Sequence, residues 1–580
     1  MCAINGFTYR DSNLLNKMMS ICSSRGPDDK GFFFEDEISL GHNRLSIIDP
    51  NERSKQPFIY KNLVLSFNGE IYNFLELKKE LKTKGYKFST ESDTEVLIKL
   101  FHCYEVESFR KISGIFSISI WDKYKKILYL VRDIVGVKPL YYSYKNGNLF
   151  FSTLIKPLLE INEKQLNIEA VNYYSNFGYN DLTETFFKNI FKLEPGELII
   201  YKNKSFKKEK FLKYNFKKNL SKNDVKEKII KVINKQTISD VPIALSLSGG
   251  VDSNIILSAI SKSLKTYNIS FTYNNNKSLD SIYAANRAKL FNTDHQEIKV
   301  SNDKFINTIE KVNDILEEPV GNQNSVSNLI LSENIKEKVI MCGDGGDEIF
   351  TGYDKYRSIY FLSIINKFKS IIPKLNIKNK NFRRLFFNDS KKIHLSFSNQ
   401  NILNPNFFFL NYKNIEFNEI NYNHFDEKFS KFKLENIMLA DLDTWVKNDV
   451  LLRNDKIYMN KAVEVRVPYL DQDLIESCLF YSANKKINFL KKTKPLLRKL
   501  FKKELKGILE QKKGFDSPFN FWIKEEKNKK ILEYYFSNNY HKSSLLNYDN
   551  IKQTLDDKRD QSFKIFSNLM LQIFLKQNNF

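Results

Sequence analysis

The rhythm of apolar and polar positions along this 580-residue chain changes near residue 225. Before it, β-type runs dominate. IFSISIWD (115–122) and KILYLVRD (126–133) flank a short charged turn, which predicts a hairpin. LVLSFNGEIYN (63–73) predicts a strand running into a turn that contains Asn68 and Gly69. NFLELKKELKTKG (73–85) then carries apolar residues at helical spacing and stops at Gly85. Residues 201–224 are rich in Lys and Asn, lack an apolar period, and read as a connecting segment. From 225 onward, strands alternate with helices. VPIALSL (241–247) ends at Gly-Gly and precedes a helical DSNIILSAISKSL; TYNISFTY (266–273) precedes a helical SIYAANRAKLF; VIMC (339–342) ends in a second Gly-rich loop. That alternation predicts a doubly wound parallel sheet whose site lies at the carboxyl ends of its strands. Residues 373–429, rich in Asn, Phe and Lys, give no clear pattern.

Composition narrows the function classes. Apolar residues at 42% and charged residues at 27% support a large core and exclude wholesale disorder. Five Cys at positions 2, 22, 103, 342 and 478 form no disulfide framework, which fits a reducing compartment and predicts a cytoplasmic protein. The N-terminal MCAINGFTYRD has no basic-then-apolar pattern of a secretory signal. No window reaches the ~18 apolar residues of a spanning helix, so no membrane role is expected. The net charge is +23. The basic stretches lie far apart and form no stripe interleaved with aromatics, so the charge reads as compositional and nucleic acid is not expected as a partner.

Two constellations carry chemistry. Cys2 follows the initiator Met, and Met removal would leave a thiol beside a free α-amine. With a pKa near ~7.7–8.0, that amine can serve as general base to its own side chain. Arg44 in GHNRLSIID (41–49) is suited to clamp a carboxylate bidentately. The Asn68 amide and the Gly69 N–H are suitable oxyanion donors, and Asp93 in ESDTEVL (91–97) can meet an ammonium group. The second constellation is SLSGGVDS (246–253). Gly249 and Gly250 let backbone N–H groups turn inward, the Ser248 and Ser253 hydroxyls and a helix N-terminus add donors, and the cradle suits pyrophosphate. No Lys-Ser/Thr follows the glycines, so it is not a Walker A loop. Asp252 inside an anion cradle would repel phosphate without a cation between them, which argues for Mg²⁺. GDGGDEIFTGY (343–353) adds Asp344, Asp347 and Glu348 at the end of another strand.

Cys2, RGPD (25–28), GHNRLSIID, NGEIYN, SDTE and RDIVGVKPLYY (132–142) resemble class II glutamine amidotransferase domains, which are N-terminal-nucleophile hydrolases. SLSGGVDS, GDGGDEIFTGY, LEEPVGNQNS (316–325), LLRNDKIYMNKAVEVRVPYLD (451–471) and EQKKGFDSPFNFW (510–522) resemble the synthetase half of the glutamine-hydrolysing asparagine synthetase family, a PP-loop ATP pyrophosphatase. The resemblance implies an αββα sandwich over 2–200, a connection over 201–224, an α/β parallel-sheet PP-loop domain over 225–530, and a helical extension over 531–580.

It implies that Cys2 attacks a glutamine amide to release ammonia, with Asn68 and Gly69 as the oxyanion hole. Arg44 and Asp93 would hold the glutamine carboxylate and amine, beside Leu45, Ser46, Ile47, Ile48 and Glu70 in the same pocket. It implies that Asp252 and Asp347 hold Mg²⁺-pyrophosphate, that Asp344 serves the acyl-adenylate, and that Lys512 meets charge developing on the phosphates. Ser246, Tyr273 and the Cys342–Gly343 backbone would contact adenosine, and Arg453 and Asp455 would belong to the substrate side. The implied reaction is ATP-dependent conversion of L-aspartate to L-asparagine, with ammonia channelled between sites and a homodimer by analogy. A same-mechanism amidation of another carboxylate, such as a sugar acid, is the alternative. A catalytically inert basic binding protein is the third reading, and the intact Cys2, Asp252, Asp347 and Lys512 argue against it. Departures from the family pattern are Ser24 before RGPD, Leu154 in Thr153–Lys156, Leu279-Asp280-Ser281 opening a helix, Asn322 after Gly321, and Arg453-Asn454-Asp455-Lys456.

Overall fold

The structure is a computed structural model that describes residues 2–216, 221–260, 264–271, 278–366, 434–481, 483–487, 493–508, 517–542, 545, 554–555 and 560–580. The readings at Tyr273, Lys512 and 373–429 lie outside those residues.

Two six-stranded antiparallel sheets build the first half. One runs Phe191–Lys192, Tyr141–Lys145, Asn148–Ser152, Ala3–Phe7, Ile38–Arg44, Asp29–Glu35. The other runs Ser205–Lys210, Glu197–Lys202, Ile127–Arg132, Gly114–Asp122, Leu63–Ile71, Phe58–Tyr60. Alternation along the strands puts Ile4, Leu40, Val64, Trp121, Leu130 and Phe151 into one cluster between the sheets. The opposite faces are covered by helices. Leu15, Met18 and Met19 of Ser12–Ile21 pack with Phe7 and Phe150, and Leu77, Leu81, Val96 and Leu100 pack with Leu65 and Phe67. The result is the αββα sandwich expected.

Two local expectations are corrected. Asn68 and Gly69 are not in a turn: the strand continues to Ile71, and they pair with Ser117 and Phe116 across an antiparallel ladder. Gly69 is required there by close packing, since a Cβ would lie 2.1 Å from the Ile115 carbonyl oxygen. The opening of the 201–224 connection is also structured. Glu197–Lys202 and Ser205–Lys210 form a hairpin at the edge of the second sheet, where Tyr201 faces the core while Lys202 and Lys207 are exposed.

The second half holds a five-stranded sheet in the order Asp294–Val300, Lys265–Phe271, Ile243–Ser246, Val339–Met341, Glu464–Arg466, parallel throughout. Strand order reverses between Ile243–Ser246 and Val339–Met341, and a crevice opens at the carboxyl ends of strands at such a reversal. SGGVDS follows the first of these strands and GDGGD the second, so topology brings the two Gly-rich loops together. Helix Ser562–Asn578 lies between the halves. Every residue from Ile565 to Leu575 is buried, the Tyr174 hydroxyl donates to the Ser567 carbonyl oxygen (2.8 Å), and Phe574 packs on Phe186 and Phe187.

Candidate functional site

Cys2 directly precedes strand Ala3–Phe7, in the middle of the first sheet, and is buried. Its N–H donates to Asn68 Oδ1 (3.1 Å), Arg25 Nε donates to its carbonyl oxygen (3.4 Å), and Asn68 Nδ2 reaches Ser117 Oγ (3.3 Å). Burial pushes the Cys2 thiol pKa up, while the N-terminal ammonium, the Leu45 backbone N–H and Arg44 pull it down. The segment after Arg44 wraps this strand end. Arg44 Nη2 donates to the Asp49 carbonyl (2.7 Å) and Nη1 to the Asn51 carbonyl (3.0 Å), which fixes the guanidinium while each terminal nitrogen keeps a second N–H. The Ser46 N–H donates to Asp28 (2.7 Å), Leu45 and Ile47 are buried, and Ile48 is half-buried against the core.

Asp93 opens helix Asp93–Tyr104 behind a Ser92 cap, and its Oδ2 accepts the Ile71 N–H (3.0 Å). Burial raises its pKa to about 6, opposed by the Ile71 and Thr94 N–H groups. Glu70 is pushed well above the usual carboxylate range by burial and by Glu464 and Asp93 nearby. This fixes the sign of a pH effect. In the role the resemblance implies, Asp93 must be ionised to meet the glutamine ammonium group, and burial places its proton uptake at about pH 6. Glutamine affinity measured by calorimetry on a Cys2→Ala protein should therefore fall about tenfold per pH unit below that value. A flat profile from pH 5 to 8 would remove Asp93 from this role.

The second site sits in the crevice. The SGGVDS loop folds on itself: Ser253 Oγ accepts the Ser248 N–H (3.1 Å), the Ser248 and Ser253 hydroxyls are 3.0 Å apart, and the Gly250 N–H donates to Ser248 Oγ (3.1 Å). Gly249 N–H donates to Asp280 Oδ1 (2.9 Å), so Asp280, noted in the sequence only as a departure, pins the loop. Gly346 lets the facing loop approach, because a Cβ there would lie 2.5 Å from Asp252 Oδ1. Between the loops is a residue sequence reading missed. Lys494, 1% exposed, bridges Asp252 and Asp347, with its ammonium 2.6 Å from Asp347. One lysine in a Lys-rich chain gives little signal; its one mark is Pro495 starting a helix behind it, with Lys494 itself at φ +53°.

A cavity of about 670 Å³ spans the crevice, within the usual size of ligand sites. Ser246, Ser248, Gly250, Asp252, Ser253, Cys342, Gly343, Asp344 and Asp347 all line it. Cys342 Sγ lies 3.1 Å from Asp344 Oδ2, and Asn454 Nδ2 donates to the same oxygen (2.7 Å). Arg453 is ion-paired with Asp449, whose carboxylate also accepts from Asn322 (2.8 Å) and Trp445 (2.9 Å). Asp455 does not join this cavity wall. It turns to the other half and pairs with Arg25 (2.7 Å) and Lys138 (3.4 Å). Among the described residues no three His, Cys, Asp or Glu side chains form a metal group. Asp252 and Asp347 still suit Mg²⁺, which takes one or two carboxylates and completes its shell from phosphate and water.

A family model described as a glutamine amidotransferase domain matches residues 1–212, and one described as asparagine synthase matches residues 224–576. Asparagine synthetase [glutamine-hydrolyzing] 1 of Bacillus subtilis (strain 168) is 29% identical over 609 residues, covering 98% of this chain and 94% of its own. Putative asparagine synthetase [glutamine-hydrolyzing] 2 of Methanocaldococcus jannaschii is 30% identical over 413 residues, covering 63% and 78%. Among solved structures, the glutamine PRPP amidotransferase of B. subtilis aligns over 51% of this chain and 65% of its own at 15% identity and a TM-score of 0.29, too low to bear on the fold. With the sheets, the two loops and these matches together, the chain belongs to the glutamine-hydrolysing asparagine synthetase family and is a glutamine-dependent ligase.

Proposed function

We propose that Cys2 releases ammonia from glutamine and that the crevice activates a carboxylate with ATP as an acyl-adenylate, which the ammonia then attacks. The products are an amide, glutamate, AMP and pyrophosphate. The observation that carries this reading is a pair of neighbouring residues. Asn454 donates to Asp344 in the cavity, while Asp455 pairs with Arg25, which donates to the Cys2 carbonyl. Two sites joined by so short a span suit an intermediate that must not meet water, because ammonia released into solvent becomes ammonium and loses its nucleophilic lone pair. Asp252 and Asp347 would hold Mg²⁺, whose chemistry is to neutralise charge on the phosphates. Lys494 would orient the two carboxylates, Lys512 would meet charge on the departing pyrophosphate, and Ser246, Tyr273 and the Cys342–Gly343 backbone would contact adenosine.

The acceptor taken first is L-aspartate, giving L-asparagine. The second reading, a hydroxylated acid such as a sugar acid, is favoured by the cavity's wall of amides: Asn322, Gln323, Asn324, Asn328 and Asn454 line it, and its Arg453 is committed to Asp449. ATP–pyrophosphate exchange decides. L-Aspartate should support exchange above a panel of uronic and aldonic acids; exchange with a sugar acid alone would transfer the assignment to the second reading, and exchange without any carboxylate would sink the acyl-adenylate.

A further inference from the structure

Beneath the glutamine pocket lies a buried charge cluster assembled from both halves. Glu70 and Asp93 come from the first half. Glu464 and Arg466 come from the last strand of the parallel sheet. Arg466 is fully buried: Nε pairs with Glu464 (2.6 Å), Nη1 donates to the Gln236 and Ile238 carbonyls (2.7 and 2.6 Å), and Nη2 lies 3.7 Å from Glu70 Oε2. Its guanidinium stands 5.6 Å from the Tyr72 ring centroid. Four buried polar atoms here have no hydrogen-bond partner among the described residues: Arg466 Nη2, Glu70 Oε2, Glu464 Oε2 and the Tyr72 hydroxyl. Buried polar atoms without a hydrogen bond are costly, and four in one place call for an explanation.

The charges do not balance. Three carboxyl groups face one guanidinium, so the proton held on Glu70 or Asp93 depends on what the partner half supplies. Glu464 raises the proton affinity of Glu70, Asp93 and the Cys2 thiol, while Arg466 lowers that of Glu70 and Asp93. The N-terminal ammonium lowers the proton affinity of Glu70, and among the described residues Asp471, itself paired with Lys235 (3.2 Å), acts on Tyr72 from beyond it.

We propose that Glu464 and Arg466, residues of the synthetase half, are positioning residues of the glutaminase site: their buried ion pair, with Arg466 set against Glu70, governs the affinity for the glutamine ammonium group. Docking of the two halves then controls the glutamine pocket electrostatically, in addition to joining it to the crevice. This inference rests on the glutaminase reading of Cys2.

The test is glutamine binding by the full-length Cys2→Ala protein, followed by calorimetry from pH 5 to 8. Removing a cation and removing an anion must act oppositely. Arg466→Gln should move the acid midpoint of binding to higher pH by about one unit, and Glu464→Gln should move it to lower pH by a similar amount. Arg466→Lys, which keeps the charge, should restore most of the wild-type profile. A merely structural role predicts weaker binding at every pH with the midpoint unchanged in all three variants. If Arg466→Gln fails to fold, the near-isosteric Glu464→Gln decides alone, and a folded Glu464→Gln protein with an unmoved or raised midpoint overturns the proposal. Absence of glutamine binding in the Cys2→Ala parent at every pH would overturn the glutaminase reading and this inference with it; binding without opposed shifts overturns this inference only.

Discussion

Cys2→Ala should abolish glutamine hydrolysis and glutamine-driven amidation, a loss on the order of 10,000-fold or more, while amidation driven by added ammonium salt should continue. The two activities separate because the thiol lies at the start of the Ala3–Phe7 strand, whereas Asp252, Asp347 and Lys494 lie in the other half's crevice. Glutamate release and pyrophosphate release, followed side by side, check the result. Equal loss of both would contradict two separate sites. The position of the Cys2 nitrogen, 3.1 Å from Asn68 Oδ1, adds a second arm: after Met removal the same oxygen can hold the α-amine beside the thiol it deprotonates. A chain that retains Met1 should therefore behave like Cys2→Ala, and full glutaminase activity in it would exclude the amine as base.

Lys494→Met and Asp252→Asn should each suppress ATP–pyrophosphate exchange by roughly 100- to 1000-fold and leave glutamine hydrolysis near wild type. The lysine is almost fully enclosed and bridges two carboxylates. Without it, Asp252 and Asp347 face each other as like charges with little exposure, and the stability cost of breaking such a buried arrangement is about 3–5 kcal/mol. Thermal unfolding must therefore be measured with the exchange rate. Asp252→Asn removes one of the two charges and should unfold at a higher temperature than Lys494→Met, yet lose as much exchange. Exchange near wild type in a folded Asp252→Asn protein would remove Asp252 from phosphate or metal handling.

The fold was legible in the sequence where periodicity was strong. The Gly114–Asp122 and Ile127–Arg132 hairpin, helix Phe74–Thr83 and strands Ile243–Ser246 and Lys265–Phe271 all follow apolar runs bounded by turn residues. Strand Asp294–Val300, DHQEIKV, was missed because it lies at the sheet edge, is largely half-exposed and carries charges. Strand Glu464–Arg466 was missed because its three residues include two charges, which read as exposed but are buried and pair with each other. Asn-Gly at 68–69 looked like a turn because that dipeptide usually is one, and a close approach to Ile115 overrode the local preference.

What the sequence by itself determined is the local chemistry: a thiol in the second position, a Gly-rich loop between a strand and a helix, and carboxylates at a strand end. Each depends on residues adjacent in the chain, so spacing alone exposes it. Tertiary structure decided what those groups face. Lys494 reaches Asp252 across 242 residues, Asp455 reaches Lys138 across 317, and Arg466 comes to Glu70 from the opposite half. Such pairings arise where strand order reverses and where two halves dock. Their charges are tolerable only because burial is matched by a partner distant in sequence, and no local pattern along the chain encodes that match.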